Sequence, residues 1–126
     1  NVEFIGRAAE RALAGWYAGA RMLVFPGEED FGIVPLEAQA CGVPVVALGR
    51  GGALESVVDG ETGVYFGEET AQGLCAAVRR LDQLGLDPQR CRANALRFDR
   101  PVFLQRMAAA IAAARARHPS PLARAA

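Results

Sequence analysis

Met22–Leu48 reads MLVFPGEEDFGIVPLEAQACGVPVVAL, and this stretch decides the fold. It holds two continuous apolar runs, Met22-Leu23-Val24-Phe25 and Val45-Val46-Ala47-Leu48. Runs this short and apolar throughout fit strands buried on both faces of a parallel sheet. Between them, Pro35–Cys41 reads as a short helix. Proline suits the first helical position, where its missing N–H has no partner to lose, and Gly42 with Pro44 ends the element.

Working outward, Val2-Glu3-Phe4-Ile5 reads as a strand ended by Gly6, and Arg7–Ala20 has helical periodicity through Leu13, Trp16 and Tyr17. Trp16 and Tyr17 are expected to pack that helix on the sheet. Downstream, Gly49-Arg50-Gly51-Gly52 is a glycine-rich turn into a second short helix, Ala53–Val58. Asp59–Gly63 is turn chemistry, and Val64-Tyr65-Phe66 is a last strand. Helices follow at Glu69–Leu84, Pro88–Arg97 and, after Pro101, Val102–Arg117. Residues 118–126 read as a disordered tail. Strands alternating with helices at this pitch predict an α/β fold, a Rossmann-like parallel sheet flanked by helices. Ligands of such sheets sit outside the carboxyl ends of the strands. The loops Gly6-Arg7, Pro26–Val34 and Gly49–Gly52 each follow an expected strand, so they are expected to converge on one edge.

The chain of 126 residues is one domain at most, and 52% hydrophobic residues suffice for a core. Fourteen basic and fourteen acidic residues cancel, so no overall field draws nucleic acid or an anionic membrane. No apolar run approaches the ~18 residues of a spanning helix. Cys41, Cys75 and Cys91 form no C-x-x-C pair and read as reduced, buried thiols of a cytoplasmic protein. His118, the only histidine, lies in a Pro/Ser/Arg/Ala tail, so no metal is expected. Residue 1 is Asn, and a strand-like run follows at once, which reads as a start inside a longer product.

The loop after Phe25 carries the chemistry. Glu29 is acidic, Gly32 permits close backbone approach, and the helix beginning near Pro35 offers free N–H groups and a partial positive charge suited to phosphate. Each part alone has a plain explanation. Glu29 could be a solvated loop residue, and Glu37, expected in the first turn, a partner of the helix dipole.

Taken together, Glu29-Asp30-Phe31-Gly32-Ile33-Val34-Pro35-Leu36-Glu37-Ala38-Gln39-Ala40-Cys41-Gly42-Val43-Pro44-Val45-Val46 resembles the donor-site signature of the retaining GT-B glycosyltransferases of the family 4 type. That large family is typified by bacterial mannosyl- and glucosyltransferases. The similarity continues through Gly51–Gly63, which resembles the family's glycine turn and "DG-x-T-G" segment. It covers residues 2–67 closely and the later helices by pattern. The resemblance implies that residues 1–117 are part of the C-terminal, donor-binding domain. Glu37 would then hydrogen-bond the ribose hydroxyls of a nucleotide sugar, and Glu29 would face the donor sugar as the catalytic carboxylate. The backbone of Phe31, Gly32, Ile33 and Val34 would approach the diphosphate and sugar, and Arg7 and Ala8 would lie near the base. Asp30 stands where glycine is common in the family, and Gln39 replaces a frequent methionine, a change expected to matter only to packing. Arg50 could touch a phosphate or be a solvated turn residue. Glu55 could contact the sugar or stabilise a helix dipole.

The E-D-F-G form resembles the family's mannosyltransferases and points to GDP-mannose. No cofactor is expected, the nucleotide sugar being the donor substrate. An N-terminal acceptor-binding domain, and an Arg and a Lys that the family supplies from an earlier βα unit, are absent from these residues, so the chain alone is expected to be inactive. The alternative is a non-catalytic nucleotide-sugar-binding or regulatory module. Phe103, Met107 and Ile111 form an apolar stripe on the last helix, a candidate dimer contact. The full-length protein is expected in the cytoplasm, at the inner face of the membrane.

Overall fold

A computed structural model describes residues 1–118. Three parallel strands, β1 (Leu23–Phe25), β2 (Val45–Leu48) and β3 (Gly63–Phe66), lie in the order β1-β2-β3. The register pairs Leu23 with Val45 and Val45 with Gly63. Helices alternate with them: α1 (Glu10–Gly19), α2 (Ile33–Ala40), α3 (Ala53–Ser56), α4 (Ala71–Leu84) and α5 (Pro88–Leu96). This is the expected α/β Rossmann-like arrangement.

The central strand shows why the sequence folds this way. All four residues of β2 are buried, and the pleat sends alternate side chains to opposite faces. Val45 and Ala47 join Phe25, Ala38, Val43, Ala53 and Val57 in one cluster, under α2 and α3. Val46 and Leu48 join Val64, Phe66, Ala77 and Leu81 in the other, under α4. Helices on both faces therefore explain the unbroken apolar run.

Two expectations about strands are corrected. Val2–Ile5 is not a strand; it is coil, with Phe4 94% exposed. A strand needs a ladder to complete it, and β1 pairs only with β2 among the described residues. The Gly6-Arg7 loop consequently follows no strand. β1 is also not buried on both faces. Phe25 points into the core, but Val24 is 40% exposed because α4 packs over β2 and β3.

Helix boundaries move by a few residues. α1 starts at Glu10, α3 stops at Ser56 and α5 at Leu96. α4 starts at Ala71, after Thr70, whose hydroxyl accepts from the Gly73 N–H at 3.0 Å. Trp16, expected to pack, is 52% exposed, whereas Tyr17 packs against the first cluster. Of the thiols, Cys91 is buried, Cys41 half-buried and Cys75 exposed, so the expectation of three buried thiols is corrected for Cys75. Burial pushes the Cys91 thiol up.

The chain divides into two compact units, Asn1–Leu96 and Arg97–Ala126. The second is built on α6 (Arg100–Arg117), capped by the Asp99 carboxylate, which accepts from the Arg100 N–H at 2.7 Å. Pro101 lies inside this helix at its second position, not before it, and no residue of α6 is buried. The tail expected at 118–126 lies, beyond His118, outside the described residues.

Candidate functional site

The carboxyl ends of the strands bring two loops together. The loop after β1 (26–32) and the turn after β2 (49–52) meet backbone to backbone, with the Gly52 N–H donating to the Glu29 carbonyl at 2.7 Å. The fit leaves no room for side chains. A Cβ on Gly52 would overlap the Phe31 Cα and carbonyl, and one on Gly51 would meet the Glu29 carbonyl. At the same edge the Gly49 N–H donates to the Phe66 carbonyl at 2.9 Å. Arg50 reaches across to Glu69, 2.9 Å away, in an exposed pair.

Gly32 turns the loop into α2. Its φ of +72° lies in the left-handed region, and it caps the helix with Phe25 and Pro35 beside it. The helix thus begins at Ile33, two residues before the expected start, and Pro35 is third. Proline is tolerated there for the original reason, since the first turn has no preceding carbonyls to bond. Ile33 and Val34 supply the free N–H groups of the start, and their side chains are 64% and 37% exposed. The new register also moves Glu37. It sits in the second turn, and no acidic residue occupies the first. The dipole explanation of Glu37 accordingly loses its ground, because that attraction falls off beyond the first turn.

Glu37 is held from α1 instead. The Tyr17 hydroxyl donates to Glu37 Oε2 at 3.1 Å. Burial first, and then the bond to Glu37, push the Tyr17 phenol up to about 12. Tyr17 packs as expected, but its bond to Glu37 leaves no local signal, because the two residues are twenty positions apart. Gln39 does more than the expected packing. It is fully buried, donates to the Pro35 and Ser56 carbonyls at 3.1 and 2.8 Å, and accepts from Asn94 at 2.7 Å. Asn94 also donates to the Ser56 carbonyl at 2.8 Å. This network ties α2 to α3 and α5, so its role is not packing alone.

The other candidates scatter. Glu29, Asp30 and Phe31 are exposed on the loop, and Glu55 is exposed in the first turn of α3. Arg7 and Ala8 lie in the coil before α1, with Arg7 exposed and Ala8 half-buried. A cleft of about 400 Å³ occupies the opposite edge of the sheet, where α1, α2 and α4 end. Its arginines are engaged. Arg92 donates to the Cys41 carbonyl at 3.1 Å, and Arg21 pairs with Asp82. Among the described residues no group of three or more His, Cys, Asp or Glu side chains could hold a metal ion. No described helix is long and apolar enough to cross a membrane.

Residues 1–83 match the family model of the glycosyl transferases group 1. The chain belongs to that family. A D-inositol 3-phosphate glycosyltransferase of Thermomonospora curvata is 38% identical to this chain over 100 residues, 79% of the chain and 23% of the relative. Another from Arthrobacter sp. (strain FB24) is 53% identical over 53 residues, 41% of the chain and 13% of the relative. Among solved structures, sucrose-phosphate synthase from Thermosynechococcus elongatus superposes with a TM-score of 0.61 and 35% identity, covering 74% of the chain and 23% of that protein. The chain therefore spans less than a quarter of the length of each of these relatives.

Proposed function

We propose that the chain is the donor-binding portion of a retaining glycosyltransferase that moves a sugar from a nucleoside diphosphate sugar to an acceptor. One observation carries the reading. The half-buried carboxylate of Glu37 stands one turn beyond a helix start whose N–H groups are free, at the carboxyl edge of the sheet. Glu37 accepts from the ribose hydroxyls, since an ionised carboxylate can only accept. The Gly32–Val34 backbone faces the diphosphate. Glu29 accepts from the donor sugar's hydroxyls and is the catalytic carboxylate of the site.

Retaining transfer develops positive charge on the sugar and negative charge on the departing nucleoside diphosphate. Fixed N–H dipoles aimed at that leaving group stabilise it in the transition state, with no reorganisation at the moment of reaction. GDP-mannose is the donor that the E-D-F-G form favours, with UDP-sugars as the comparison. The reading needs no metal or other cofactor. The acceptor belongs to an N-terminal domain outside these residues, so the 126-residue chain binds donor without transferring it. We place the full-length enzyme in the cytoplasm, at the inner face of the membrane, and assign the Phe103, Met107 and Ile111 stripe of α6 to a dimer contact.

Calorimetric titration of the chain with GDP-mannose and UDP-glucose tests this. Glu37→Ala should weaken the bound donor about ten-fold or more, the scale of a hydrogen bond to a charged group. Equal affinity of wild type and variant, or turnover of either sugar by the chain alone, contradicts the reading.

A further inference from the structure

The mechanism just proposed asks Glu37 to present an oxygen to a ribose, yet its side chain has several rotatable bonds and projects from the second turn of α2. Something must hold it. Among the described residues its one side-chain partner is the Tyr17 hydroxyl, 3.1 Å from Oε2, which leaves Oε1 without a protein donor. Tyr17 is itself fixed. Its ring packs against the cluster of Ala38, Val43 and their neighbours, and α1 packs on α2. A half-buried phenol whose ring packs against the core therefore holds one oxygen of a carboxylate whose other oxygen has no donor among the described residues.

From this arrangement we infer that Tyr17 is the positioning residue of the donor site, orienting Glu37 so that its unengaged oxygen meets the ribose hydroxyls. The inference rests on the donor-site reading and deepens it by assigning ribose recognition to a pair, one member of which touches no ligand. Tyrosine suits the task because the ring loses little conformational freedom and the hydroxyl donates to the carboxylate without adding charge. Burial and the carboxylate both favour the protonated phenol, so the donor stays in place at neutral pH. The geometry leaves a specific signature. The pair acts on ribose hydroxyls alone, so its effect disappears for a nucleotide that lacks them.

The test compares GDP and UDP with their 2′,3′-dideoxy counterparts, each titrated into the 126-residue chain as wild type, Tyr17→Phe and Glu37→Ala. Tyr17→Phe keeps the ring packed against the core and removes only the hydroxyl. The wild type should prefer the ribose form of whichever nucleotide binds. Tyr17→Phe should cut that preference about three- to ten-fold, the net worth of one hydrogen bond, and leave dideoxy affinity unchanged. A purely structural role would weaken both forms together, which overturns the inference. If Glu37→Ala abolishes the preference and Tyr17→Phe leaves it intact, positioning by Tyr17 is overturned while the donor reading stands. If Glu37→Ala leaves the preference intact, or no nucleotide binds, the reading beneath the inference falls with it.

Discussion

The Gly52 N–H donates to the Glu29 carbonyl across 2.7 Å, joining the loop that carries the acidic motif to the glycine turn of the next βα unit. Gly52 has φ −64°, a conformation open to any residue, so space alone demands glycine there. Gly52→Ala forces the Phe31 backbone aside. Overpacking of this kind costs about 1–3 kcal/mol, and urea unfolding should show that loss. Amide shifts at Phe31–Val34 should accompany it, because the displaced strand of chain leads into the helix start.

The buried polar network yields a second prediction. Asn94→Ala leaves Gln39 Oε1 without its donor, at a residue with 0% exposure. An unsatisfied buried acceptor costs about 1–3 kcal/mol. Thermal unfolding of the variant should show a loss of that size. An unchanged midpoint would mean that the network contributes nothing to holding α5 on α2.

Arg50 and Glu37 should separate cleanly. Arg50 already pairs with Glu69 in an exposed contact, and such pairs are worth about 0–1 kcal/mol. Arg50→Ala should shift nucleotide affinity by no more than about three-fold, far less than Glu37→Ala. A larger loss in a binding titration would assign Arg50 to the phosphate.

Asp59 sets a pH dependence of stability. The Arg80 guanidinium bonds both of its oxygens, at 2.8 and 2.7 Å, and holds its carboxyl below the ordinary 3.8. A depressed folded pKa means that the contribution is present above 3.8 and is lost as pH falls through the lower folded value. The pair is exposed, so the effect is small and screened by salt. Urea midpoints of wild type and Arg80→Gln should differ slightly at pH 7 and converge as the pH falls from 3.8 through the lowered folded value.

What was legible in the sequence, and what was not, follows from the range of the interactions. Val45–Leu48 announced itself because a strand covered on both faces must be apolar at every position, and that constraint is local. Val2–Ile5 carried a similar signal and formed no strand, because pairing depends on a neighbour that no local pattern contains. Pro35 marked a helix start but not its register, since proline is tolerated through the first turn. That two-residue error put Glu37 in the wrong turn. The Glu29 and Glu37 spacing was visible as a motif. The groups that hold the site, Tyr17 on Glu37 and Asn94 on Gln39, join residues 20 and 55 positions apart and left no trace in spacing.

The central claim is that the α2 start and Glu37 form the donor wall, and mapping nucleotide contacts by amide NMR on the 126-residue chain tests it most directly. Titration with GDP-mannose, and with UDP-glucose for comparison, should shift the Gly32, Ile33, Val34 and Glu37 amides, with the Gly51-Gly52 turn following. Shifts confined to the opposite cleft beside Arg21 and Arg92, or none at Gly32–Glu37 with either sugar, would contradict the account.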